Sequence, residues 1–182
     1  LSLVGSEMCI RDSVYGLAKL MGGKKTFVNK LQMVFDEGLY DPANEPDIAY
    51  AHLFSYFKGE EWRTQKETQR LLDKYFTTKP DGIPGNDDTG TMSAWAIFNM
   101  IGFYPDCPGL PEYTLTTPVF NKVTIRLDPK WYKENELVIE SNRTGSETLY
   151  INKVLLDGKK FNKYRITHDE LVHGKRLIFD LK

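Results

Sequence analysis

The chain has little cysteine, no long apolar run and no surplus of either charge. Its two cysteines, Cys9 and Cys107, stand in no metal or redox spacing, which removes a zinc site and a redox pair from consideration and leaves the compartment open. No stretch approaches the roughly 20 apolar residues of a membrane-spanning helix. Twenty-four basic side chains balance 25 acidic ones for a net charge of −1, so no global field draws in nucleic acid or an anionic membrane. Also missing are a serine or cysteine nucleophile beside a recognisable base, glycines spaced for a phosphate loop or dinucleotide fingerprint, an internal repeat and a low-complexity tract. Core material is present: the 182 residues are 41% hydrophobic and 13% aromatic, ample for one ordinary domain or two small ones.

The first thirteen residues, LSLVGSEMCIRDS, match nothing that follows. They are no signal peptide, because Glu7, Arg11 and Asp12 interrupt a short apolar run and no small-residue cleavage site ends it. The string resembles translated sequencing-adapter read-through. That implies a non-native leader over residues 1–13, an accidental Cys9, and a chain that is the C-terminal piece of a longer protein.

From Tyr15 to about Tyr104 the apolar spacing is helical. Phe27, Leu31, Val34 and Phe35 lie on one face of a helix that Gly38 stops. Pro46 suits a first turn, with Ile48, Ala51, Phe54 and Phe57 following before Gly59. A third helix is expected to begin near Thr64, where Thr64 and Glu67 make a capping-box pattern, and to carry Leu71, Leu72, Tyr75 and Phe76. A fourth carries Trp95, Phe98 and Ile101, ends at Gly102 and is followed by Pro105. Short connections imply antiparallel hairpins. After the proline-rich stretch around residues 105–112 the period becomes two: Val123, Ile125 and Leu127 alternate with polar neighbours, and four or five short strands follow. The fold class is therefore α+β, with helical hairpins over residues 14–106 and an antiparallel β-rich region over 107–182. One sequon, Asn142-Arg143-Thr144, is a nominal glycosylation acceptor.

Two loops crowd oxygens where helices begin. In DGIPGNDDTG, Gly82 and Gly85 free the backbone, Pro84 stiffens it, and Asn86, Asp87 and Asp88 precede a helix whose N-terminal amides favour an oriented carboxylate. In ANEPDIAY, Asn44, Glu45 and Asp47 surround Pro46. Two readings of each loop stand: an N-cap with solvated neighbours, or one rim of a shared pocket. The first loop is no EF-hand, since Ile83, Gly85, Asn86 and Met92 occupy the third, fifth, sixth and twelfth positions counted from Asp81. Tyr50, Tyr56, Trp62 and Trp95 suit stacking on sugar rings, although helical spacing equally makes them core. His52 reads as an interior or surface histidine, and His168 and His173 have no partner motif.

In this order, NEPDIAYAHLFSYFKGEEWRTQ, TTKPDGIPGNDDTGTMSAWAIFNMIGFYPDCPG and EYTLTTPVFNKVTI resemble the C-terminal part of glycoside hydrolase family 92, the calcium-dependent exo-acting alpha-mannosidases. The resemblance covers residues 14 to about 182. It implies an N-terminal β-sandwich, absent from this chain, joined to a catalytic (α/α)6 barrel of which residues 14–106 are the last part. It also implies inversion at the anomeric carbon, with a calcium ion on the mannose 2- and 3-hydroxyls. By the family motif Asp88 is the general base, Asn86 its partner where aspartate is common, and Asp87 lies beside the substrate. Asn44 and Glu45 match the motif lining the mannose and calcium subsite. The acid glutamate matches nothing here, so the chain alone is expected to be inactive. The resemblance implies mannose-containing glycans, alpha-1,2-linked, as partner, and a periplasmic or secreted location with them. The rival reading is a non-catalytic carbohydrate-binding module with a structural calcium.

Overall fold

The computed structural model of the protein describes residues 13–107, 109–145 and 148–182, with the backbone alone for residues 45 and 46. The expected leader thus lies outside the described residues except for Ser13. That residue accepts a hydrogen bond from Gly16 N at 3.0 Å and caps the first helix, α1 (Val14–Leu20).

Helix α2 (Lys24–Asp36) buries Phe27, Val28, Leu31 and Phe35, the face its spacing predicts, and Gly38 follows at φ +69°. Ile48, Ala51, Phe54 and Phe57 recur at every third position, and the structure answers that period with a 3-10 helix, Glu45–Tyr56, in place of an α-helix. Three residues per turn put all four on one face, and all four are buried. Twelve residues is long for this geometry, whose runs normally stop after three or four; packing on α1 and on the next helix sustains it.

Helix α3 (Glu61–Tyr75) starts three residues ahead of the expected Thr64. Thr64 is no cap: it is fully buried and accepts from Ser55 Oγ at 2.9 Å. Glu67, equally buried, lies 2.8 Å from Arg70 Nε and accepts from Gln32 Nε2 of α2 at 3.0 Å. A spacing of three marks a capping box and also one helix face, and here Thr64, Glu67, Thr68 and Leu71 are the face. The true capping box is Thr167 with Glu170, opening the short helix α5 (His168–His173) inside the β region. Its first residue is partnered after all, with His168 Nδ1 lying 2.9 Å from the Tyr113 hydroxyl.

Helix α4 (Thr91–Ile101) ends as expected at Gly102, whose φ of +116° and nearness to Pro118 (2.7 Å from an added methyl) leave room only for glycine. It is a shared wall. Met92, Trp95 and Ala96 belong to the helical core, and Phe98 and Ile101 pack against the core of the sheets.

Among the described residues eight strands follow: β1 (Phe103–Tyr104), β2 (Glu112–Leu115), β3 (Lys122–Arg126), β4 (Glu136–Arg143), β5 (Ile151–Leu156), β6 (Lys159–Phe161), β7 (Arg165–Thr167) and β8 (Arg176–Leu181). They form two sheets, ordered β1-β2-β7 and β3-β4-β8-β5-β6. All pairings are antiparallel except β4 with β8, which run parallel at the centre of the larger sheet. Leu137 and Ile139 of β4 meet Leu177, Phe179 and Leu181 of β8 in a dry core. Asn142 of the sequon sits in β4, its amide donating to Asp180 Oδ1 at 2.8 Å.

Buried polar groups fasten the helical layer to the sheets. Gln65 of α3 accepts from Ile151 N of β5 at 2.9 Å. Asp106, 4% exposed, takes the Tyr56 hydroxyl (2.8 Å), the Thr114 hydroxyl (2.7 Å) and both contacts of Arg165 Nη1 (3.1 Å each). The Arg165 guanidinium also lies 4.2 Å from the centre of the Tyr56 ring. A buried carboxylate persists only with such partners.

Candidate functional site

Both acidic loops emerge from one end of a helical hairpin. The 3-10 helix and α3 run antiparallel, closed at one end by the Ser55–Thr64 bond. At the open end Phe76 stacks on Trp95 at 5.4 Å, and the Trp95 indole donates to Ile48 O at 3.0 Å. Residues 41–47 lead into the 3-10 helix there, and residues 77–90 lead away from α3. The loops touch at Gly85 and Ala43: a methyl group on residue 85 would lie 2.6 Å from the Ala43 Cβ, and Gly85 has φ +66°. Only glycine allows that approach in that conformation.

The first loop is built on Asp47. Its Oδ2 accepts from Asp41 N at 3.0 Å and its Oδ1 from the Asn44 amide at 3.2 Å, while Asp41 Oδ1 closes an Asx turn on Ala43 N at 2.9 Å. Burial pushes the Asp47 carboxyl above the usual carboxylate range, against the pull of the Asp41 N–H, the Asn44 amide and the Tyr50 side chain. Asn44 is exposed, and with its NH2 turned to Asp47 its amide oxygen is directed elsewhere. Glu45 contributes the first residue of the 3-10 helix, and its side chain lies outside the described residues.

In the second loop the three polar residues divide their work. Asp87 Oδ1 accepts from Ser93 N and its Oδ2 from Ser93 Oγ, both at 2.8 Å, so Asp87 caps the first turn of α4 from three residues ahead of the N-cap position, Gly90. The Ser93 N–H, then its hydroxyl, hold the Asp87 carboxyl below the usual range. Asp88, Thr89 and Gly90 then take φ values of +43°, +64° and +90° in succession. For a non-glycine residue this conformation costs on the order of 1 kcal/mol or more. Two hydrogen bonds to the Asp88 carbonyl, from Thr91 N (3.3 Å) and Thr91 Oγ1 (2.7 Å), help hold the turn. The Asp88 side chain is exposed, and no described residue donates to its carboxylate. Asn86 is exposed beside it. The structure thus brings the two loops together and leaves Asp88, Asn86 and Asn44 presented to solvent, with Asp87 taken up by the helix.

Other side chains take supporting places. Trp95 is 1% exposed and belongs to the core, and Tyr56 is tied to Asp106. His52 is fully buried, stacked on Tyr104 at 4.3 Å, and its Nε2 lies 2.9 Å from Asn99 Oδ1. Because Asn99 Nδ2 donates to Trp95 O, Oδ1 is an acceptor and His52 Nε2 carries the hydrogen. Burial lowers the pKa of His52 and keeps the ring neutral. Sequence reasoning did not find Ser93 or the Gly85–Ala43 contact; the glycine in a proline-stiffened loop was the available signal for the second. Among the described residues no three of His, Cys, Asp and Glu converge as a metal site would require. Clefts of about 640, 480 and 710 Å³ are lined by residues outside both loops.

Glycoside hydrolysis relies on paired Asp or Glu carboxylates, and this rim presents an exposed and unengaged carboxylate, Asp88. The chain matches the catalytic domain of glycosyl hydrolase family 92 over residues 6–182. It belongs to glycoside hydrolase family 92. An uncharacterized secreted glycosidase of Arthroderma benhamiae is 29% identical over 161 residues, 88% of this chain and 20% of that protein. A family GH92 alpha-mannosidase from Bacteroides thetaiotaomicron superposes with a TM-score of 0.80 at 32% identity, over 88% of this chain and 22% of that one; the same enzyme has been seen in complex with mannoimidazole. A family GH92 inverting mannosidase of the same organism gives a TM-score of 0.80 at 29% identity, over 97% of this chain and 27% of its own. The chain thus spans roughly a fifth to a quarter of the length of these relatives.

Proposed function

We propose that the chain is the C-terminal part of an inverting exo-alpha-mannosidase that removes terminal alpha-linked mannose from glycans, with Asp88 as its general base. The observation that supports this reading is the meeting of the two family motif loops at Gly85 and Ala43, which brings the loop bearing the exposed Asp88 carboxylate against the loop that carries Asn44 and Glu45 in sequence. Inversion needs an acid on one side of the glycosidic bond and a carboxylate on the other, with the two groups roughly 6.5–9.5 Å apart so that a water fits between base and sugar. Asp88 meets the base's requirements: it is held by a strained backbone, faces solvent, and is bound by no other side chain among the described residues. Asn86 orients the water through its amide but accepts no proton. Asp87 fixes the turn by capping α4 and lies at the edge of the sugar site.

Asn44 and Glu45 are the residues here that would hold calcium. The Asn44 amide oxygen, left outside the bond to Asp47, is the hard ligand this cation takes. Two positions are only part of a shell of six to eight oxygens, so the rest comes from upstream, as does the acid. When bound, the ion supplies positive charge that grips adjacent sugar hydroxyls. On this reading residues 14–106 complete an (α/α)6 barrel and the chain alone is inactive. The longer enzyme acts outside the cytoplasm, secreted or periplasmic, on alpha-1,2-linked mannose such as that of N-glycans.

The test is turnover of alpha-1,2-mannobiose by the full-length enzyme that carries this chain. Rapid NMR of the product is expected to show beta-mannose first, and a chelator to abolish turnover. Alpha-mannose as first product, or turnover indifferent to chelation, contradicts the mechanism or the metal respectively.

A further inference from the structure

At the closed end of the hairpin, away from the two loops, lies a cleft of about 480 Å³ lined by Glu61, Trp62, Gln65, Tyr150, Tyr164 and Lys182 among others. The volume falls within the roughly 300–1,000 Å³ of small-ligand sites. Trp62 stands in the first turn of α3, and the loop bearing Asp88 leaves from that helix's other end. Thirteen residues at 1.5 Å each separate Trp62 from Tyr75, on the order of 20 Å.

Two features make this cleft more than a seam. Trp62 is 40% exposed, yet its indole is held in place: the Arg63 guanidinium packs over it at 4.6 Å and Tyr150 meets it edge-on at 6.4 Å. Such a ring offers a rigid, partly open π surface, which suits the C–H faces of a sugar. The second feature is Gln65, only 2% exposed. The Ile151 N–H fixes its Oε1 as acceptor, so its Nε2 carries both hydrogens, and nothing among the described residues accepts them. A buried amide with unused donors at the floor of a cleft is a group waiting for an acceptor. Tyr150 and Tyr164 add half-buried aromatic wall, and Glu61 and Lys182 place one charge of each sign at the rim. Aromatic walls, a buried amide donor and charges of both signs recognise a neutral ligand that has apolar faces and many hydroxyls.

We propose that this cleft is a glycan-binding site, in which a sugar ring lies against Trp62 and one of its oxygens accepts from Gln65 Nε2. That the sugar is mannose rests on the reading under Proposed function. A site here would hold one part of a branched glycan while another part reaches the loops at the open end.

The experiment is an NMR titration of the 182-residue chain with alpha-1,2-mannotriose, reading the indole N–H of Trp62 and the Gln65 amide. Saturable shifts at both groups are expected. Trp62→Ala should weaken binding at least tenfold and Trp62→Phe less. Gln65→Leu, which tests the amide donor, should weaken it several-fold, with backbone spectra confirming that each variant is folded. Lys30→Ala, on the exposed face of α2 and outside both the cleft and the two loops, should leave the affinity unchanged. Equal affinity in the wild type and a folded Trp62→Ala variant, or no shift at Trp62 and Gln65 up to millimolar sugar, overturns the proposal. Since turnover by the full-length enzyme is not read here, failure of the cleft leaves the Asp88 assignment standing. An inactive enzyme whose chain still binds through Trp62 would sink the catalytic reading and leave the cleft.

Discussion

Replacing Gly85 with alanine in the full-length enzyme should disable it without touching an acid. The added methyl lies 2.6 Å from the Ala43 Cβ, whereas two carbons rest at about 3.5–4.0 Å. The loops must therefore part by about 1 Å. A misplacement of that size at a catalytic group costs on the order of 10²-fold in rate, and this is the loss expected in kcat on alpha-1,2-mannobiose. The methyl also meets a backbone at φ +66°, an independent penalty of about 1–2 kcal/mol on stability. The second substitution separates the two effects. Ala43→Gly removes the carbon that the methyl strikes but leaves the backbone strain, so the double variant should regain most of kcat while its unfolding midpoint stays lowered. Wild-type kcat in Gly85→Ala, or no recovery on adding Ala43→Gly, would refute the idea that this contact sets the spacing of the loops.

Further consequences concern stability and acid. Asp106→Ala takes from the Arg165 guanidinium, 17% exposed, its buried counter-charge and leaves it Glu112, 3.3 Å from Nε and 38% exposed, as the remaining carboxylate, so the loss should fall toward the lower end of the cost of breaking a buried pair, about 3 kcal/mol, measured by urea unfolding. Burial lowers the pKa of His52, so the unfolded chain takes up the proton first. Stability should be full above about pH 6.5, the free histidine value, and should decline as pH falls below it, a slope that His52→Gln removes. Asp87 is the converse acid case: its folded pKa is depressed, so its hold on Ser93 is complete above the ordinary aspartate value of about 3.9 and is lost as pH falls through the folded one. Asp87→Asn should remove that part of the acid transition followed by circular dichroism.

Local periodicity carried much of this fold in plain view. The α2 face, the stop at Gly102 and the change from helical to alternating spacing near residue 105 all follow from neighbours within one or two turns. The 3-10 geometry was not legible: the spacing from Ile48 to Phe57 predicts an ordinary helix, and only packing against the neighbouring helices makes its three-residue rhythm a 3-10 turn. Long-range pairings were not legible. Nothing near β4 announces that it runs parallel to a strand 38 positions later, since both carry the same alternating pattern. Thr64 and Glu67 misled because one spacing serves two purposes, and only the partner Gln32, 35 residues away, decides between them. At the candidate site the acids were visible as a crowded loop. Their division into a cap, Asp87, and a presented carboxylate, Asp88, depends on three successive left-handed residues that sequence does not display.

The most direct measurement compares two conservative variants of the full-length enzyme, Asp88→Asn and Asp87→Asn, by kcat and KM on alpha-1,2-mannobiose. If Asp88 draws the proton from the attacking water, Asp88→Asn loses on the order of 10² or more in kcat with KM little altered, and Asp87→Asn loses far less. An Asp88→Asn enzyme that keeps more than about a tenth of wild-type kcat, or an Asp87→Asn enzyme that falls further than it does, contradicts the account.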